Sequence, residues 1–151
     1  MTRTLIVIEN TDRDRALLEK ARTVALGEET DIVVVALATP NEYEDVASTL
    51  DEIGRIEHTS YDEDDVLDGV SGDTQDLASD VLGGTIEYDL RTLVEEKGSQ
   101  ASTIVEMAHE MDCNHIFLPG YRRSPTGKAV FGDRTQEVLL NFDGYVTVSM
   151  D

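Results

Sequence analysis

Residues 113–132 contain no Asp or Glu, in a chain of 151 residues that carries 32 acids against 12 bases. The gap reads HIFLPG over 115–120, YRRSPTG over 121–127 and KAVFG over 128–132. Arg122, Arg123, Lys128 and Arg134 gather around it, and Asp133-Arg134-Thr135-Gln136 opens a helical pattern. An apolar strand that runs through a Gly- and Arg-containing loop into a helix is how α/β proteins build a phosphate site. Backbone N–H groups and the positive helix end face the anion, and neighbouring cations add charge. Anion binding around this loop is therefore the chemistry that these residue types support best.

Other candidate chemistry is weaker. Asp62-Glu-Asp-Asp65 is an acidic run, but consecutive helical carboxylates point in different directions, so it reads as a helix N-terminus rather than a cation site. His58, His109 and His115 lack metal-ligand spacing, and Cys113 is not part of a CxxC pair. No Gly-x-Ser-x-Gly elbow occurs, and Gly127-Lys128 is followed by Ala129, so no Walker loop forms. Ser124 and Thr126 read as turn residues around Pro125. No nucleophile with its base assembles from sequence.

The elements that must position the loop are legible as alternating strands and helices. Leu5-Ile-Val-Ile8 is a short apolar strand, and 31–38 is nearly continuously apolar, as a strand buried on both faces requires. Between them Leu17, Leu18, Ala21, Val24 and Ala25 recur at helical spacing, with Thr11 or Asp12 as N-cap and Gly27 at the end. Thr39-Pro40 begins an acidic helix with Val46, Leu50, Ile53 and Ile56 expected on its inner face. Val66, Val70, Leu77 and Val81 mark a second helix, weakened by Gly69 and Gly72 and ended by Gly83-Gly84. A third strand falls within 86–94. Ser99 caps the helix carrying Ile104, Val105, Ala108 and Met111. The fourth strand is 115–119, Asp133-x-x-Gln136 resembles a capping box, and 145–150 is the fifth strand. This alternation specifies a parallel sheet with helices on both faces, in a single domain over 1–151.

Composition sets outer bounds. The chain has no run of 18 apolar residues and no room for a leader before its first strand, so neither a membrane span nor a signal peptide is expected. One cysteine excludes an internal disulfide and points to a reducing cytoplasm. A net charge of -20 opposes nucleic-acid binding. The many acids and three lysines resemble the cytoplasmic proteins of salt-accumulating halophiles. Along the fifth strand, Val146 and Val148 alternate with Thr147 and Ser149 at a sheet edge, where a second chain can pair.

The order of elements and the loop 120–135 resemble the universal stress protein family over essentially the whole chain. Gly120 and Gly132 match the first and third glycines of the Gly-x-x-Gly, spacer, Gly-Ser/Thr pattern of nucleotide-binding members. Arg123 stands at the second glycine, the spacer is a residue shorter, and Asp133 replaces Ser or Thr. The resemblance implies a doubly wound five-stranded sheet of order 3-2-1-4-5, similar to the adenine-nucleotide alpha-hydrolases. It implies a haloarchaeal-type cytoplasmic stress-response protein that binds ATP or another adenine nucleotide, with Mg²⁺ where phosphates need bridging. Glu9 and Asn10, after strand one, and the Leu37 backbone would lie at the adenosine end. Gly120, Arg122, Arg123, Gly127, Gly132, Asp133 and Arg134 would surround the phosphates. A homodimer through Val146 and Val148 and a protein partner are implied, with slow ATP hydrolysis as the most turnover to expect. A carboxylate capping the last helix would occupy the N–H groups that a phosphate uses, so an interaction module without nucleotide stands as the alternative. A phosphorelay receiver shares the topology but needs a lysine after strand five, where only Asp151 follows.

Overall fold

Two apolar runs form the centre of the sheet in a computed structural model that describes residues 2–120 and 132–150. Strand β1 (Arg3–Ile8) pairs in parallel with β2 (Asp31–Ala38), from Arg3↔Asp31 to Ile8↔Ala36. On its other side β1 pairs with β4 (Cys113–Pro119), with a register shift between Arg3 and Thr4. Strands β3 (Tyr88–Val94) and β5 (Tyr145–Ser149) form the edges, so the described sheet is parallel throughout and ordered β3-β2-β1-β4-β5. The expected order is the one observed.

Alternation in β1 explains why this sheet must be covered twice. Leu5 and Val7 point into one apolar cluster, and Ile6 and Ile8 into the other. Helices α1 (Asp14–Glu28) and α3 (Glu63–Leu82) close the second cluster through Leu17, Leu18, Ala21, Ala78 and Leu82. Helices α4 (Gln100–Glu110) and α5 (Asp133–Asn141) close the first through Ile104, Ala108 and Val138. Fully buried side chains such as Leu5, Leu18 and Ile104 each contribute roughly 1.5–3 kcal/mol of transfer free energy. That fixes the framework on which the loops at the strand ends are held. Helix α2 (Pro40–Glu57) packs against α3, with Gly69 close against Val46.

Several element ends differ from the sequence reading. Helix α1 begins after Arg13, because Asp14 reaches back to accept hydrogen bonds from the Thr11 N–H (2.8 Å) and hydroxyl (3.1 Å). Thr11 therefore donates to the first turn and does not cap it. The helix runs through Gly27 and stops at Glu29, in the left-handed region with φ 57°. Gly69 and Gly72 leave α3 continuous, since the packed partner on α2 needs the missing Cβ at Gly69. Ser99 precedes α4 but makes no side-chain cap, because a 3₁₀ turn, Lys97–Ser99, leads straight into the helix. Strand β4 starts at Cys113, and Met150 lies beyond β5.

Candidate functional site

All five strands point the same way, so their carboxyl ends share one rim of the sheet. From β1 the chain moves outward to β2 and β3, and β4 and β5 are laid on the other side. Strand order thus reverses between β1 and β4, the place where doubly wound sheets open a crevice for ligands. A cleft of about 500 Å³ lies at this rim, on the α4/α5 face. Glu9 enters it from the end of β1, and Lys97, Gly98 and Gln100 come from the 3₁₀ turn and the start of α4. Gly132, Asp133, Arg134 and Thr135 complete its described lining from the start of α5.

Arg134 organises the interior of this cleft. Its Nη2 is ion-paired with Glu9 Oε1, and its Nη1 donates to Gln100 Oε1 at 3.1 Å. Gln100, only 4% exposed, in turn donates through Nε2 to the Glu95 carbonyl at 3.1 Å. One guanidinium therefore ties the end of β1 and the start of α4 to the start of α5, and Gln100 carries the link on to the turn after β3. The side chains of Arg134 and Glu9 are 17% and 16% exposed, so the pair is largely removed from water. A charge-assisted contact in such surroundings is stronger than its surface equivalent, and an unpaired charge there is correspondingly costly.

The start of α5 corrects one expectation. Gly132, with φ 82°, is the N-cap, and its carbonyl accepts the first helical hydrogen bond from Gln136 at 3.1 Å. Asp133 is the first helical residue and is exposed, so no Asp133–Gln136 capping box forms. A side chain at this cap would be strained, because L residues rarely adopt that φ. Among the described residues, no side chain at the N-cap satisfies the first N–H groups of α5, which lie beside the Arg134 guanidinium.

The remaining expected site residues are distributed unevenly. Asn10 follows Glu9 with φ 60° and is exposed. Leu37 is 8% exposed and packs in the core; it lies one residue past the β1–β2 ladder, which ends at Ile8↔Ala36, and pairs with Leu93 of β3. Gly120 follows β4 and donates its N–H to the Ser149 carbonyl at 2.8 Å. A Cβ there would stand 2.5 Å from Val148 Cγ1, so this glycine lets β5 close on β4. Arg122, Arg123 and Gly127 lie outside the described residues. Val146 and Val148 are half-buried and lean on the α4/α5 cluster, leaving the β5 backbone at the edge of the sheet.

Gln100 and Arg13 were not singled out in the sequence. A lone Gln at a helix start reads as solvated, and only the fold places it under Arg134. Arg13 donates from Nη1 to the Ser149 carbonyl at 3.0 Å, clasping the end of β5 to the start of α1. The acidic run 62–65 caps α3 instead of holding a cation: Asp62 Oδ1 accepts from the Asp65 N–H and Asp65 Oδ2 from the Asp62 N–H. Cys113 is buried in β4, and desolvation pushes its thiol up to about 11, with Arg3 pulling the other way. A thiol held protonated in this manner is a poor nucleophile. No helix among the described residues is long and apolar enough to cross a membrane.

Comparison with known proteins places this architecture. A universal stress protein from Archaeoglobus fulgidus superposes with a TM-score of 0.68 at 20% identity, over 98% of each chain. The universal stress protein from the same organism in complex with dAMP gives 0.64 at 16% identity, over 98% of this chain and 97% of that one. A universal stress protein in complex with cAMP gives 0.59 at 12% identity, over 99% and 98%. A sequence comparison with curated proteins returned no match. At these identities the superpositions establish the fold, while the family model, described as Universal stress protein family, matches residues 1–149. With strand order, crevice and sequence profile in agreement, the chain belongs to the universal stress protein family.

Proposed function

We propose that this universal stress protein binds an adenine nucleotide, ATP or a relative of it, in the cleft between the end of β1 and the start of α5. The observation that carries the reading is the Arg134 guanidinium, held by Gln100 beside the α5 N-terminus, whose N-cap is the side-chain-free Gly132. A desolvated cation next to helical N–H groups is what a phosphate requires. That structurally similar proteins were solved with dAMP and with cAMP supports an adenine nucleotide as the ligand class. Glu9 and the Leu37 backbone are the candidate contacts to the nucleoside, and Mg²⁺ would offset the charge of Asp133 beside a polyphosphate. The nucleotide acts by biasing conformation or partner choice.

The same protein is proposed to be a dimer through β5. The other edge, β3, carries Asp89 and Arg91, charges that discourage strand addition, whereas the β5 sequence YVTVS carries none. Sedimentation at a monomer mass across the micromolar range would reject this part. Calorimetric titration with ATP and Mg²⁺ in molar KCl tests the site: micromolar binding that is lost in Arg134→Ala is the expected result. Absence of binding by the native chain favours the second reading, an interaction module. The Glu9–Arg134 pair speaks for that reading, because it already engages one face of the cation that a phosphate would use.

A further inference from the structure

Within the guanidinium of an arginine, Nε–H and Nη2–H point the same way and form the edge that grips an oxyanion through two parallel hydrogen bonds. In Arg134 this edge is half occupied. Nη2 carries Glu9, whereas Nε is buried and has no hydrogen-bond partner among the described residues. The opposite corner, Nη1, is fixed by Gln100, whose own amide is fixed by the Glu95 carbonyl. The guanidinium is thus clamped from behind, with its two-donor edge turned to the carboxylate at the end of β1 and the cleft alongside.

We propose that Glu9 is a displaceable stand-in for the ligand's phosphate, and that the class of ligand this cleft selects is a terminal phosphomonoester. The proposal rests on the reading of the cleft as a nucleotide site and specifies how that site is entered. A carboxylate with charge -1 engages one donor of the edge. A phosphomonoester near neutral pH carries a charge of about -1.5 to -2 and has three oxygens, two of which span both donors. It therefore exchanges for Glu9 on the guanidinium, and no bond is made or broken beyond hydrogen bonds. A cyclic phosphodiester, with a single charge and two free oxygens, competes on nearly equal terms with Glu9 and gains less. The displaced carboxylate remains at the end of β1, an acceptor for the hydroxyl groups of the same ligand. Glu9 sets the threshold for entry, and the charge that the two-donor edge of Arg134 meets sets the preference among phosphates.

The test uses the intact chain at constant KCl, with inorganic phosphate, AMP and cAMP as probes in calorimetric titrations. Glu9→Gln is expected to bind inorganic phosphate about tenfold more tightly than the native chain, the size that fits release of one partly buried donor from its carboxylate. The native chain is expected to bind AMP more tightly than cAMP, and Glu9→Gln is expected to keep that order. Arg134→Lys, which keeps the charge and loses the two-donor edge, is expected to abolish the gain when combined with Glu9→Gln. A second readout needs no variant. Phosphate added to the native chain should shift the Arg134 Nε–H and the Glu9 carboxyl NMR signals together, with one saturation curve. Native AMP binding without a gain in Glu9→Gln, or phosphate binding that leaves the Glu9 signal unmoved, overturns the exchange and leaves the nucleotide site standing. Failure of AMP to bind the native chain and Glu9→Gln alike overturns both.

Discussion

His115 joins burial, a ring stack and a single polar partner within the outer half of the sheet. Its Nε2 meets Thr147 Oγ1 at 2.8 Å, and its ring lies on Phe117 with centroids 4.3 Å apart. Burial lowers its pKa below the ordinary 6.5, with the charge of Glu28 pulling weakly the other way. The unfolded chain then takes up the proton at a higher pH than the folded one. The stability that depends on a neutral His115 is complete above pH 6.5 and is lost as pH falls through the lowered value. Urea midpoints at pH 7.5 and pH 5 should fall further in the native chain than in His115→Gln. Equal losses would show that the imidazole does not titrate between the two states. At this scale the sequence spoke unevenly: His115, opening an apolar strand beside Cys113, was readable as a packing or surface residue without ligand spacing, but its partners were not. Glu9 and Arg134 could each be picked out, one as the acid after strand one and one as a base beside the glycine loop. Their pairing could not be, because it is made by topology across most of the chain.

Elements were most readable where side chains repeat. The apolar run of β2 and the heptad-like stripes of α1 and α4 report burial directly, so the layers followed from them. Ends were harder, because a cap depends on which way one side chain turns. Thr39-x-x-Glu42 does form the reciprocal box that starts α2. At Asp14 the direction of the bond is reversed, and at Gly132 the cap has no side chain at all, so neither is announced by residue type. The junction of β4 and β5 offers a test at this scale. Gly120→Ala should destabilise the chain by about 1–3 kcal/mol through its overlap with Val148. Because the clash is with one methyl, Gly120→Ala combined with Val148→Ala should recover most of that loss in a double-mutant cycle. Additive losses would mean that position 120 is required for its backbone or for a ligand instead. The result also separates two reasons for the same glycine, β5 packing and close approach of phosphate.

For the molecule as a whole, a net charge of -20 on 151 residues acts against the compact state at low ionic strength. Exposed acids cover α2 and the outer face of α3, where Arg55 and the Arg15 paired with Asp80 offset only part of their charge, and mobile ions screen them over a Debye length of about 3 Å at 1 M salt. The urea midpoint should therefore rise steadily from millimolar to molar KCl, followed by far-UV circular dichroism. A midpoint indifferent to KCl would show that this surface carries no net repulsive cost. The strands' shared direction has a practical corollary for any such measurement. Arg3 opens β1 at one end of the parallel strands, whereas the Ser149 carbonyl, clasped by Arg13, lies at the opposite end together with the cleft. A surface tether or affinity handle joined ahead of Arg3 leaves the cleft facing solution. The same handle joined beyond Met150 emerges at the rim and would crowd whatever enters there.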